Sequence, residues 1–244
     1  MKKLLTATLL CLSTMAFAGD AAKLTHIGFS SDGKSYAFME SGVQDGSGFA
    51  YANIRFLDTA SNKFSASAVN VLQNEDDTIS TLIDIESEAL KRAEATLSSL
   101  AISKEIKGDI VVSRKITDLE ARKLKEVSFS NGPIIGGLTA PQYKIKLTVS
   151  AAKKETTCLT DSVKKMKLEL VDLKTKKTSV LQEDLKLPAS RACAHNYEIE
   201  DVVVINPDQM SELASKVVVL IRVFSQGFEG EDVRYMAISS SLNK

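Results

Sequence analysis

The run KVVVLIRVFS at 216–225 constrains the fold of this chain more than any other stretch. Apolar residues fill successive positions from Val217 to Ile221, so as a strand the segment turns apolar side chains to both of its faces. Such a strand is stable only where both faces are covered, which puts it in the middle of a layered, sheet-rich fold. The run is too short to cross a bilayer, and Arg222 interrupts it. Arg222 needs a carboxylate or a route to solvent, because an unpaired buried guanidinium is costly.

The rest of the chain supplies the layers. Residues 24–72 read as a four-stranded meander. A two-residue turn at Asp32-Gly33 pairs Phe29 with Tyr36 and Ile27 with Phe38, all four on one face. The loop Gly42 to Gly48 follows, then a strand at 50–57 with Ile54 and Phe56 on one face, a polar turn at 58–63, and FSASAVNVL closing the sheet. The period then changes. From Asp77 to Leu100 the residues Ile79, Leu82, Ile83, Leu90, Ala93, Leu97 and Leu100 recur every three or four positions, which marks an amphipathic helix capped by Asp76 or Asp77. TDLEARKLKEV at 117–127 suggests a short second helix. A Gly/Pro-rich loop from Gly132 to Pro141 forms a soft boundary, after which strands return: QYKIKLTVSA, KMKLELVDL, TSVLQ, YEIEDVVVIN, KVVVLIRVFS and VRYMAISS, with a helical turn at 206–215. The expected fold is α+β and mostly β: two antiparallel meander sheets, arranged as a sandwich, barrel or partial propeller, with one long helix between them. Residues 19–244 read as one unit, with a meander-and-helix half at 19–130 and a β half at 140–244.

The N-terminus carries an export signal. Lys2 and Lys3 precede an apolar core of about twelve residues, and Ala16-Phe17-Ala18 has the small-x-small form at which a leader is cut, giving a mature start at Gly19. A membrane anchor would need about 20 apolar residues. Lys and Arg total 31 against 31 Asp and Glu, so removal of Lys2 and Lys3 leaves a slight acidic excess and no basic block to attract nucleic acid. No later segment is long enough to span a bilayer. A periplasmic or secreted location follows. Cys11 leaves with the leader, so Cys158 and Cys193 remain and suit a disulfide in an oxidising compartment. Closing that loop of about 35 residues stabilises by roughly 3–4 kcal/mol in the chain-entropy picture. The competing use of Cys158, Cys193 and His195 as metal ligands lacks the paired spacing of zinc modules.

Candidate chemistry is sparse. GFSSD at 28–32 resembles a nucleophile elbow, but Asp32 replaces the final glycine and the segment sits in a hairpin. Only His26 and His195 offer imidazole bases. Asp45 in one loop and Glu229, Glu231 and Asp232 in another are candidate cation or ion-pair acids; neither loop has calcium-loop register. A disulfide-fixed loop with Arg191 and Tyr197 suits an acidic or sugar ligand, and Phe49, Tyr51 and Phe228 flank the two glycine-rich loops. These five residues, Phe49, Tyr51, Arg191, Tyr197 and Phe228, form the candidate contact surface. No catalytic residue, metal site or cofactor motif is assigned.

SSDGKSYAF resembles the Asp-Gly hairpin of TolB-like propeller blades, without further copies at the propeller repeat. DGKSYAFMESGVQDGSGFAYANI, LKLPASRACAHNYEI and VFSQGFEGEDVRYMAI together resemble a family of predicted secreted bacterial proteins. The resemblance implies export and a whole-chain unit and carries no activity or ligand. The expected function is therefore a non-catalytic envelope protein that binds another envelope protein or a glycan. The alternative is an envelope hydrolase acting on glycan or ester, which requires two acids, or Ser30 with a histidine, within hydrogen-bond reach.

Overall fold

In the computed structural model, which describes residues 19–65, 67–75, 81–131, 140–153, 158, 160–191, 193–206 and 215–242, the chain begins as the meander its alternation demands. Strands β1 (Lys23–Ser30), β2 (Ser35–Val43) and β3 (Ala50–Asp58) pair antiparallel in sequence order, with β4 (Lys63–Phe64) and β5 (Val69–Leu72) along β3. The helix α1 (Leu82–Ser99) crosses this N-terminal sheet, and β6 (Ile102–Ser103) returns to pair with β1. Next come β7 (Asp109–Ser113), α2 (Leu119–Lys123) and β8 (Glu126–Phe129). The remaining strands are β9 (Tyr143–Ala151), β10 (Lys164–Asp172), β11 (Thr178–Glu183), β12 (Asn196–Ile205), β13 (Lys216–Gln226) and β14 (Glu231–Ser241).

The fold is α+β and mostly β, with antiparallel sheets that do not close into a barrel. The strands after β6 divide into two sheets rather than one. An outer sheet has the order β11-β10-β9-β8, and a central sheet the order β14-β13-β12-β7. Strands β7 and β8 precede residues 132–139 yet pair with strands that follow them.

The central sheet is covered twice. One face packs Tyr197, Ile199, Val202, Val217, Val219, Ile221 and Met236 against Ile145, Leu147, Met166 and Leu168 of the outer sheet. The other packs Val203, Val218, Leu220 and Ala237 against Phe29, Tyr36, Phe38 and Leu57 of the N-terminal sheet. Strand β13 thus has the two-sided burial that its unbroken apolar run requires. The far face of the N-terminal sheet carries α1, giving the layers helix, sheet, sheet, sheet.

Two local departures have clear causes. Phe29 pairs with Tyr36 as its turn dictates, but the register shifts between His26 and Gly28, so His26 rather than Ile27 lies opposite Phe38. Ile27 consequently joins the α1-facing core with Ala37 and Met39, while Phe29, Tyr36 and Phe38 face the central sheet. Gly28 permits this bulge: at φ +155° its missing Cβ would fall 2.0 Å from the Ser103 carbonyl oxygen. In α1 the buried stripe is Ile85, Ala89, Ala93 and Leu97, and Ile83 is 73 % exposed. Alanines on α1 meet Ala50 and Ala52 of β3, and small residues on both partners allow a close approach. The N-cap is Thr81, whose hydroxyl oxygen accepts from the Asp84 amide at 3.3 Å; Asp76, Asp77 and Ile79 lie outside the described residues, as does most of the expected turn at 206–215.

Replacing Ile221, which is fully buried between two layers, with alanine is expected to cost about 2–5 kcal/mol. Leu185→Ala, at a position 84 % exposed, should change stability by no more than about 0.5 kcal/mol. Urea denaturation of both variants measures the contrast, and equal losses would contradict the layer assignment.

Candidate contact site at the loop tips

The β2–β3 and β13–β14 connections meet at one end of the molecule. Gly46 and Gly48 take left-handed φ values of 89° and 72°, and the Gln44 amide donates to the Phe49 carbonyl at 2.9 Å, closing the first loop. In the second loop the Gly227 amide donates to the Gly230 carbonyl at 2.8 Å. The Phe228 ring lies against Gly46, 3.2 Å from where a Cβ would stand, and the Glu229 amide donates to Asp45 Oδ2 at 2.6 Å. The tip so formed holds Phe228 at 81 % exposure, with Phe49 half-buried nearby in sequence.

Directly behind the tip the polar groups are already paired. Tyr51 is buried; its hydroxyl donates to Asp20 Oδ1 at 2.8 Å, and the Arg234 guanidinium lies 4.8 Å from the centre of its ring. Arg234 also donates to Asp20 Oδ2 at 2.5 Å. Glu40 is buried and accepts from the Tyr235 amide at 3.1 Å, and burial pushes its carboxyl up. Asp232 accepts from the Asp20 amide at 3.2 Å; burial is the main cause that raises its carboxyl, and the Asp20 and Asp45 carboxylates add to the rise. Glu231 is exposed, 3.5 Å from His195 Nε2. Among the described residues no group of three His, Cys, Asp or Glu is placed to hold a metal ion.

The expected contact surface therefore divides. Phe49 and Phe228 flank the tip, with Asp45, Glu229, Glu231 and Asp232 in and beside it. Tyr51 is buried because its face of β3 packs inward, and Tyr197 because it points between the central and outer sheets, its hydroxyl donating to the Lys164 carbonyl at 3.3 Å. Arg191 is largely buried as well, 3.7 Å from Asp184 and hydrogen-bonded to Met236. Tyr51, Tyr197 and Arg191 thus present little surface to a partner. Cys158 and Cys193 are joined in a disulfide, their Sγ atoms 2.04 Å apart, beside Val163 and Leu187.

The Ser30 hydroxyl and the His26 imidazole are each bonded to other groups. Ser30 Oγ donates to Asp32 Oδ1 at 2.7 Å and accepts from the Ser35 amide at 2.9 Å. His26 instead bridges two sheets: Nε2 donates to Asp201 Oδ2 at 2.8 Å, and Nδ1 accepts from the Tyr36 hydroxyl at 2.5 Å. Nothing in the local sequence signals this Tyr–His–Asp chain, since Asp201 is 175 positions from His26.

The need for a partner at Arg222 was legible, and its partners stand across the β12–β13 ladder. Arg222 is fully buried, pairs with Glu198 at 3.3 Å and with Glu200, and donates to the Arg114 carbonyl. Arg122 from α2 closes over Glu198 at 2.8 Å. Arg222 Nε and Glu200 Oε2 approach as charges without forming a well-aligned hydrogen bond, so this part of the cluster is held by Coulomb attraction alone.

Residues 37–240 match the family described as "Predicted secreted protein (DUF2259)", and the chain belongs to that family. No curated protein matches the sequence.

The Glu200 carboxyl rises from 4.5 to about 7, chiefly through burial, with Arg222 opposing and Asp201 and Glu198 adding to the rise. Between those values the folded protein keeps a proton that the unfolded chain has released. Its contribution to stability therefore falls as the pH climbs from 4.5 to about 7 and is level above that. The stability of wild type minus that of Glu200→Gln should decline across this window in a series of denaturation curves. A difference that rises or stays flat would mean that folding does not raise the Glu200 pKa.

Proposed function

We propose that this member of a secreted family is an exported envelope protein that works by contact, without catalysis, through the tip carrying Phe228 and Phe49. The reading includes removal of a leader after Ala18 and residence in the periplasm or outside the cell, with an envelope protein or glycan as partner. The observation that carries it is the convergence of two glycine-rich loops that hold a large aromatic ring 81 % exposed. An exposed ring held on a hydrogen-bonded loop pair is a low-entropy anchor for a partner, the type of residue that dominates binding energy at interfaces. Asp45, Glu229 and Glu231 around it favour a partner surface that offers basic groups or hydroxyl donors.

Support for the non-catalytic part comes from the polar inventory. Ser30, His26, Asp232, Glu40 and Arg222 are each engaged in internal hydrogen bonds or ion pairs. The hydrolase alternative requires Ser30 with His26, or Glu229 with Asp232, at one reacting centre. Asp232 bonds the Asp20 amide, whereas the Glu229 backbone bonds Asp45.

A photo-crosslinking residue at position 228 in whole cells tests the contact reading, with position 185 as an equally exposed control. Specific adducts at 228 that are absent at 185 are expected, and Gly46→Val should reduce them by displacing the ring. Identical adduct patterns at 228 and 185 would remove the tip as a contact site.

A further inference from the structure

The segment Gly19–Ala22 is bound to the other end of the chain as a ligand is bound. It runs along β14, with a parallel bridge between Ala21 and Val233. The Val233 amide donates to the Asp20 carbonyl at 2.9 Å, and the Ala22 amide donates to the Val233 carbonyl at 3.1 Å. Arg234 Nη1 donates to the same Asp20 carbonyl at 2.8 Å. The Asp20 side chain takes the Tyr51 hydroxyl and Arg234 Nη2, and its amide donates to Asp232. Asp20 is 5 % exposed. This combines strand addition at a sheet edge with a side-chain pocket, the two elements of peptide recognition by sheets.

Two observations describe the seat at Gly19. A Cβ on Gly19 would fall 2.1 Å from the Glu231 carbonyl oxygen, so the first residue of the segment lies flat on the Glu231 peptide and has room for glycine alone. The charges around the seat are also unequal. Asp20, Asp232 and Glu231 stand on the segment and its edge, and Asp45 lies beyond. Arg234 is committed to Asp20, and His195 approaches Glu231 at 3.5 Å. A cut after Ala18 places an α-ammonium on Gly19, next in the chain to the amide that donates to Asp232. An intact Ala18–Gly19 peptide bond places no charge there.

We propose that Gly19–Ala22 is a maturation strap: removal of the leader after Ala18 frees the Gly19 amine, and that ammonium secures the strap on β14 beside Glu231 and Asp232. The strap depends on the leader reading given above but not on the contact tip. Before cleavage the Asp20 seat is fastened more weakly and the β14 edge opens more often.

Hydrogen exchange at the Val233 amide, which donates to Asp20, reads the strap directly. Three purified, oxidised proteins, each running to Lys244, are compared: the chain from Gly19, a chain from Ala16 that keeps part of the leader, and Gly19→Val in the chain from residue 19. Gly19→Val blocks the seat and sets the rate for an undocked strap. The Ala16 chain is expected to exchange Val233 at least tenfold faster than the Gly19 chain, with the Val219 amide in the central strand unchanged. Equal Val233 protection in the Gly19 and Ala16 chains overturns the maturation role. Equal protection in all three shows that the strap does not hold this edge and overturns the proposal altogether. N-terminal sequencing of the exported protein tests the cut separately, and a start other than Gly19 overturns the leader reading without bearing on the contact tip.

Discussion

A fully buried arginine in the central strand, which the two neighbouring sheets cover on both faces, sets the terms for this fold. Arg222 lies opposite Glu198 on β12 and Tyr235 on β14, in a sheet covered on both sides. A slip of β13 by one residue would turn the guanidinium into the apolar face that packs on the outer sheet, away from Glu198 and Glu200. A run of five apolar residues specifies burial well but alignment poorly, because its neighbours are interchangeable. The charge resolves that ambiguity. Buried ion pairs often add little net stability once desolvation is counted, and here the pairing distinguishes one register from its neighbours.

The interface between the N-terminal and central sheets shows the same division between adhesion and alignment. One part is aromatic and aliphatic, with Phe29, Tyr36 and Phe38 on Val218 and Leu220. The other is made of directed polar contacts: His26 to Asp201, Glu40 to the Tyr235 amide, and Tyr51 with Arg234 around Asp20. Among the described residues the most exposed aromatic ring stands apart from these contacts, where the two glycine-rich loops meet.

Much of this was legible in the sequence, for reasons that differ between elements. The two-sided strand, the meander with its Asp-Gly turn and the α1 stripe depend on local periodicity, which a linear reading recovers. The bulge at Gly28 was marked by a glycine inside a strand, a signal that the simple pairing of Ile27 with Phe38 passed over. Burial of Tyr51, Tyr197 and Arg191 was not legible, since a side chain beside a loop looks like a contact residue until the layer above it is known. The split of the C-terminal strands into two sheets was equally hidden, because β7 finds its partner β12 only about ninety positions further along the chain. Asp20, the most heavily bonded residue behind the tip, is silent in the sequence: its partners Asp232 and Arg234 are 212 and 214 positions away.

That separation governs the order of events during biogenesis. A loop spanning nearly the entire polypeptide adds only modest entropy to its closure, but its closure cannot begin until β14 has been synthesised. The segment around Asp20 therefore waits, unpaired, for β14. A product truncated before Val233 never offers it a place, and its unsealed edge distinguishes it from the finished fold for any protease that meets it.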